Sequence, residues 1–372
     1  MSQRENVNPI REQNHRKNSR RYQKRAAARR RRNTIFIMEI VLLLILAVVL
    51  FFVSKLSKIE KTKLDMDKIE VNEDISQESR KIMKGYQTIA MFGLDNRSNG
   101  NLSQGRSDVI MLANINNDTK EVKLVSVYRD TYLDTGDGIF QKCNAAYAKG
   151  GPEQAISMLN VNLDLNITDY VTVDFNSIIE CVDLLGGVDM EITDDEASLM
   201  TGYIRELNEL TGNKAENLTQ GSTYTLNGVQ ACAYARIRYG GGDDYRRTER
   251  QRTVLTAMVK KAQQSDLTTV NKLINEVCGD IQTSFSNAEL LALASQVFQY
   301  SIGDTTGFPF TKTTKVLSKK TGDVVIPCDL SDNVKELHIF LYEDSAYTAS
   351  DTVKQNSEKI VSDTGFKSGD GH

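Results

Sequence analysis

Residues 235–255, ARIRYGGGDDYRRTERQRTVL, hold six arginines and no lysine. A guanidinium is planar, permanently charged and able to grip phosphate oxygens two at a time, so arginine without lysine points to phosphate or to buried ion pairs. Arg236 and Arg238 stand at i and i+2, which puts both on one face of an extended segment. GGGDD then reads as a turn, with Asp243 or Asp244 capping a helix from about Tyr245. Along that helix Leu255, Met258, Val259 and Ala262 mark an inward stripe. Thr248, Gln251 and Arg247 fall near it, whereas Arg246, Glu249 and Arg250 fall on the outer, solvated side. Arg236, Arg238 and Arg247 are therefore candidates either for phosphate or for buried pairing with Asp130 or Asp244.

Carboxylates stand where strands begin and end. Asp95 follows the apolar run TIAMFGL, Asp108 opens DVIMLANI, and Arg129 and Asp130 follow VKLVSVY. Strand ends are where α/β proteins place their chemistry, and two carboxylates at adjoining ends can share one hard cation that keeps positions for water and phosphate.

The elements that must position these groups alternate between strand and helix periods, which argues a mixed α/β layer architecture. GPEQAISMLNVNL reads as a helix with Pro152 in its first turn, NSIIECVDLLGG as a helix capped by Asn176 and stopped by Gly186, and VDMEI as a strand. VVIPCDLSDNVKELHIFLY reads as strand, cap and helix and closes the body near Tyr342. The expected organisation is a basic tail 1–34, a transmembrane helix 35–53, a charged stalk 54–85, a body 86–342 and a polar, frayed tail 343–372.

Ile35 to Val53 is interrupted only by Glu39, long enough to cross the hydrocarbon core, and no small-residue cleavage site follows it. The first 34 residues carry 12 Lys/Arg against Glu5 and Glu12, which places the N-terminus in the cytoplasm and the body outside. Removing that excess from the total of −3 leaves the remainder near −13, so the body is no general polyanion binder and no nucleic-acid partner is expected. The tail serves topology and anionic lipid. Cys143, Cys181, Cys232, Cys278 and Cys328 show no metal spacing and read as small buried hydrophobes. Histidine is confined to His15, His338 and His372, which argues against a histidine triad or zinc hydrolase, and His338 reads as a helix-surface or packing residue.

The ordered series GLDNRS, RSDVIML, VSVYRDTYL, KCNAAYAKGGPEQAI, VDFNSIIECVDLLGGVDMEI, LNGVQACAYARIR and DYRRTERQ, with the basic tail and single span, resembles the LytR-CpsA-Psr family of membrane-anchored cell-wall proteins. The resemblance covers nearly all of residues 86–342. It implies a mixed central β-sheet flanked by helices, with a long apolar tunnel for a polyprenyl tail. It implies an enzyme that moves a glycopolymer, of teichoic-acid or capsular type, from a polyprenyl-pyrophosphate carrier to peptidoglycan through a phosphodiester, with Mg²⁺ or Mn²⁺, at the membrane of a Gram-positive-type cell. Position by position it implies Asp95 and Asp108 on the metal; Arg129, Arg236, Arg238 and Arg247 around the pyrophosphate with Gln251 beside them; and Asp130 and Asp244 orienting arginines. Tyr128 stands where many members have proline, and Ala145 where many have histidine. A pyrophosphate hydrolase and a non-catalytic receptor or regulator of lipid-linked polymer are the competing readings.

Overall fold

The computed structural model describes residues 60–61, 64–94, 102, 105–238, 244–266, 268–269, 272–273 and 281–371, all within a unit spanning 56–372. The basic tail and the apolar run 35–53, with the membrane helix expected there, lie outside them. Among the described residues no helix is long and apolar enough to cross a membrane.

Strand β1 (Glu60–Lys61) and helix α1 (Gln77–Met83) precede β2 (Tyr86–Leu94), β3 (Ser107–Asn116) and β4 (Glu121–Val127). The short strands β5 (Tyr132–Asp134) and β6 (Phe140–Lys142) pair with each other and lead into α2 (Ala145–Leu163) and β7 (Asp169–Asp174). Next come α3 (Phe175–Leu184), β8 (Val188–Ile192), α4 (Asp194–Thr211), β9 (Ser222–Leu226), α5 (Gly228–Arg236) and α6 (Asp244–Gln264). The chain then runs through β10 (Ile281–Thr283), α7 (Asn287–Ser295), β11 (Ser301–Phe308), β12 (Lys312–Ser318), β13 (Gly322–Pro327), α8 (Leu330–Tyr342) and α9 (Asp351–Thr364).

The central sheet has the order β1-β10-β7-β2-β3-β4-β11. It is mixed, as expected: β2 and β4 run antiparallel to β3, while β7 and β11 run parallel to β2 and β4. Side-chain alternation divides it cleanly. Ala90, Phe92, Leu94, Ile110, Leu112, Val125 and Val127 face a core shared with α2, α8 and α9. Ile89, Met111, Ala113, Ile115, Val122 and Leu124 face the other side, where Leu255 of α6 and Leu290 and Leu293 of α7 cover them. A third apolar cluster joins α3, α4, α5 and α6 to the two-stranded sheet of β8 and β9. Gly228 permits the closest of these contacts, because a Cβ there would meet the Ile179 carbonyl oxygen at 2.2 Å.

Several expectations are corrected. Helix α3 is capped by Asp174, whose carboxylate accepts from the Ser177 amide, and not by Asn176. Arg236 and Arg238 are not on a strand. Asn227 and Gln230 form a reciprocal cap that starts a helix running to Arg236, and the chain extends only at Ile237. The stalk ends before residue 64. Ile69 and Ile75 are buried, and Asn72 donates from Nδ2 to Val161 O at 3.1 Å and Asp164 Oδ1 at 2.5 Å. The segment after Tyr342 is not frayed either: Tyr347, Val353 and Ile360 lie in the main core. Val353, Ser357, Ile360 and Thr364 recur at helical spacing, so α9 buries one stripe while its composition reads as polar.

Asp164 joins these segments. It sits in the left-handed region after α2 (φ 50°), fully buried, and accepts from Asn72, from Tyr347 Oη at 2.5 Å and from the Ser350 amide at 2.8 Å. His338 stacks on Tyr347 at 3.8 Å and donates from Nε2 to Leu163 O at 3.0 Å, leaving Nδ1 without a hydrogen bond. Of the two expected readings, helix surface and packing, the structure bears out packing. Burial pushes its pKa below the ordinary 6.5, the Leu163 carbonyl and Asp164 opposing that shift. A depressed histidine adds stability that is present above the unfolded pKa and lost as pH falls toward the folded one. Stability is therefore expected to fall in the window below about pH 6.5, by up to roughly 1.4 kcal/mol per pH unit from this group. Melting curves of the parent and of His338→Gln across that window check it. Equal slopes in the two proteins contradict it.

Candidate functional site

Where β3 opens, β4 exits, α5 ends and α6 begins, a pocket of about 290 Å³ is lined by Asp108, Val109, Arg129, Phe175, Tyr203, Arg236, Arg238, Arg247 and Gln251. The four arginines singled out by sequence thus come together, with Gln251 one helical turn from Arg247. Asp108 lies within β3, and Arg129 follows the strand exit. That exit is fixed by Tyr128, buried edge-on against Tyr245 at 4.5 Å. Its hydroxyl occupies the space a Cβ on Gly307 would need, at 2.1 Å. A packed tyrosine thereby shapes the turn for which proline was the expected residue.

The charges form a chain. Arg129 Nη1 donates to Asp108 Oδ1 at 2.7 Å, and its Nε lies 3.6 Å from Asp244 Oδ1 and 3.7 Å from Asp130 Oδ2. Arg247 Nη2 contacts Asp244 Oδ1 at 2.7 Å, and Lys142 Nζ contacts Asp130 Oδ1 at 3.0 Å. Burial works against the Arg129 charge but is outweighed by Asp108 and Asp244, so the guanidinium is held above its usual range. Burial pushes the Asp244 carboxyl up to about 6, Arg129 beside it pulling the other way. Arg236 contacts Glu206 at 3.2 Å, with its guanidinium 5.2 Å from the Phe175 ring and 5.6 Å from the Tyr203 ring.

This cationic set is not self-sufficient. Among the described residues Arg129 Nε, Arg236 Nη1 and Arg247 Nε are buried without a hydrogen bond, and so is the acceptor Gln251 Oε1. Buried donors left unmade are costly, and an anion in the pocket would satisfy the three guanidinium groups.

A second, apolar pocket abuts the first and shares Val109, Phe175 and Gln251 with it. Its volume is about 120 Å³, a space narrower than the long tunnel expected. Met91, Met111 and Met258 line it, side chains that repack readily around a ligand.

Asp130 and Asp244 both border Arg129. Asp108 lines the arginine pocket with Oδ1 held by Arg129 and no hydrogen bond to Oδ2 among the described residues. A magnesium ion commonly takes one or two carboxylates together with substrate phosphate, so Asp108 fits such a role. Asp95, its expected partner, lies outside the described residues, and among them no group of three acidic, histidine or cysteine side chains gathers around a metal-sized space.

Arg246 and Glu249 are exposed as expected, but Arg250 is not. It is buried, pairs with Glu196 at 3.1 Å and lies 5.8 Å from the Tyr234 ring, because α4 and α5 cover a second side of α6. Lys142, Phe175, Tyr203 and Glu206 were not foreseen as site residues. Lys142, within KCNAAY, carried a motif signal; Tyr203 and Glu206 carried none, since their partner Arg236 lies 30 or more residues away.

A family model described as LytR_cpsA_psr matches residues 46–315. The polyisoprenyl-teichoic acid–peptidoglycan teichoic acid transferase TagU of Enterococcus faecalis is 30% identical over 210 residues, 56% of this chain and 64% of that protein. TagV of Bacillus subtilis, which bears the same activity name, is 30% identical over 195 residues, 51% of this chain and 48% of that protein. The matched regions thus span about half to just under two thirds of these relatives' length. The solved structure of TagT bound to LI-WTA superposes with a TM-score of 0.58 at 21% identity, covering 76% of this chain and 98% of that one, a likeness of fold.

Proposed function

The chain belongs to the LytR-CpsA-Psr family, and from that premise we propose that it is a transferase moving a glycopolymer from a polyprenyl-pyrophosphate carrier to peptidoglycan. The observation that carries this reading is the union of two pockets. Four arginines, three of them with buried donors that lack a hydrogen bond among the described residues, meet, at Gln251, Val109 and Phe175, an apolar space lined by methionine and valine. An amphiphile with a diphosphate head and a hydrocarbon tail matches the chemistry of the two halves. The activity names of TagU and TagV support the same substrate class.

In the reaction an acceptor hydroxyl oxygen attacks the glycan-proximal phosphorus. The bridging bond to the second phosphate breaks, polyprenyl monophosphate leaves, and the glycan becomes joined to the acceptor by a phosphodiester. Negative charge builds on the leaving oxygen, and preorganised guanidinium groups stabilise it at no reorganisation cost. Asp244 and Asp108 hold Arg247 and Arg129 in place before substrate arrives. The hydroxyl proton passes to solvent; among the described residues no histidine lines the pocket. Asp108, with Asp95, would hold Mg²⁺ or Mn²⁺, which supplies charge neutralisation at the phosphates. On this reading residues 35–53 anchor the chain and the body works outside the cell.

Release of polyprenyl phosphate from a glycan-bearing lipid pyrophosphate, followed with and without a peptidoglycan fragment, tests the assignment. Release that rises with acceptor is expected; release indifferent to acceptor is hydrolysis and overturns it. Asp108→Ala is expected to lower turnover by about two orders of magnitude and flatten its dependence on added Mg²⁺. Undiminished turnover at limiting and saturating Mg²⁺ contradicts the metal assignment.

A further inference from the structure

Resting on the reading that the acceptor is peptidoglycan, we propose that a cavity at the far end of the central sheet binds a short peptide of that acceptor, a second hold on the wall polymer remote from the reacting phosphate. The cavity, of about 340 Å³, lies where β2 begins and is bordered by α1, the turn before β7 and the end of α8. Strand β2 runs from Tyr86, in this cavity, to Leu94, which pairs with Ser107 next to Asp108 of the arginine pocket. Over the nine residues of β2, at about 3.3 Å each, the two sites stand roughly 26 Å apart, so one sugar cannot occupy both.

A stretch of strand edge opens onto this cavity. Tyr86, Gln87 and Thr88 pair with β3 on one side, but β7 starts only at Asp169, opposite Ile89, so on the other side β2 runs past the end of its neighbour. A free strand edge takes an extended peptide through main-chain hydrogen bonds. The charged side chains around it differ in sign: Arg80 and Lys84 come from α1 and its cap, one helical turn apart, and Asp169 from the start of β7. Among the described residues no salt bridge joins them. Arg80 is pinned by donating from Nε to Ile75 O at 3.0 Å and from Nη2 to Asn72 O at 2.7 Å, carbonyls that leave its charge unneutralised. Asp169 accepts from the Thr168 and Ser284 hydroxyls, each at 3.3 Å. The wall behind them is preformed, with Tyr86 edge-on to Tyr342 at 5.3 Å and the Tyr342 hydroxyl sharing a 2.8 Å hydrogen bond with Thr88. A polyanion would meet the two cations but be repelled by Asp169, and a neutral glycan would use no charge at all. A short peptide that carries both carboxylate and ammonium uses all three charges and the strand edge together.

Calorimetric titration of the full chain in detergent micelles with the N-acetylated peptide L-alanyl-γ-D-glutamyl-L-lysyl-D-alanine tests this. Lys84 is exposed, so Lys84→Glu is expected to keep the parent's melting curve while weakening peptide binding about tenfold. Amidating the peptide's carboxylates is expected to weaken binding to the parent by a similar factor and to change binding to the variant less than about threefold, because the contact is already lost there. Transfer to a peptide-free glycan fragment is expected to run at the same rate in both proteins. A parent that does not bind the peptide, equal affinities in parent and folded variant, a variant still penalised in full by amidation, or a variant slowed on the peptide-free fragment overturns the site. Each of these leaves the transferase reading standing, which fails separately if the parent joins glycopolymer to no acceptor.

Discussion

Arg247→Ala is expected to slow transfer about 30- to 1000-fold, the equivalent of 2 to 4 kcal/mol, while Arg246→Ala stays within a few-fold of the parent. The two arginines are neighbours in DYRRTERQ and differ only in the direction they face. With Leu255 at zero on a helical wheel, Arg247 falls about 80° and Arg246 about 180° away. The structure bears out that difference: Arg247 is 4% exposed and lines the pocket, whereas Arg246 is exposed and does not. Among the described residues Arg247 Nε makes no hydrogen bond, and on the proposed reading the substrate completes it. Because Arg247 also pairs with Asp244, melting curves must accompany the rates. Equal defects in both variants, with both proteins folded, contradict the pocket's role.

Truncation after Glu343 is expected to abolish cooperative unfolding, although the segment looks dispensable by composition. Tyr347, Val353 and Ile360 are at most 1% exposed in the main core. Burying each contributes about 1.5 to 3 kcal/mol, and together they rival the 5 to 15 kcal/mol that keeps a whole domain folded. The cut also strips Asp164 of the Tyr347 and Ser350 donors, leaving a buried carboxylate undersatisfied. Circular dichroism melting and solubility of the shortened chain decide the matter. A truncated protein with the parent's transition contradicts the packing described.

These cases mark where sequence carried information. The strands β2 to β4 were legible because period-two alternation reports directly which side chains face each core. The arginine cluster was legible as chemistry, since residue type alone distinguishes a bidentate phosphate grip from a diffuse charge. Its local geometry was not: Arg236 and Arg238 share the pocket because a helix ends between them, and the cap that starts that helix lies nine residues upstream at Asn227. Arg250 was misplaced because a helical wheel assumes one buried face, whereas α6 is covered on two. The 64–85 and 343–371 segments were underestimated for a shared reason. Their few apolar residues are each fully used, and the polar groups around them, Asn72, Asp164 and Ser350, are buried partners that composition counts as surface. Glu206 and Tyr203 were invisible because only the fold brings α4 to the end of α5.

The central claim, that the arginine pocket transfers a phosphoryl-linked glycan to peptidoglycan, is tested most directly by the mass of the coupled product. The purified chain would be incubated with Mg²⁺, a polyprenyl-pyrophosphate-linked oligosaccharide carrying ¹⁸O on its glycan-proximal phosphate, and a defined peptidoglycan fragment. The predicted product is the fragment joined to the oligosaccharide through a single ¹⁸O-labelled phosphate, with unlabelled polyprenyl phosphate released. Labelled oligosaccharide phosphate with no coupled fragment, or a coupled fragment that lacks phosphorus, contradicts it.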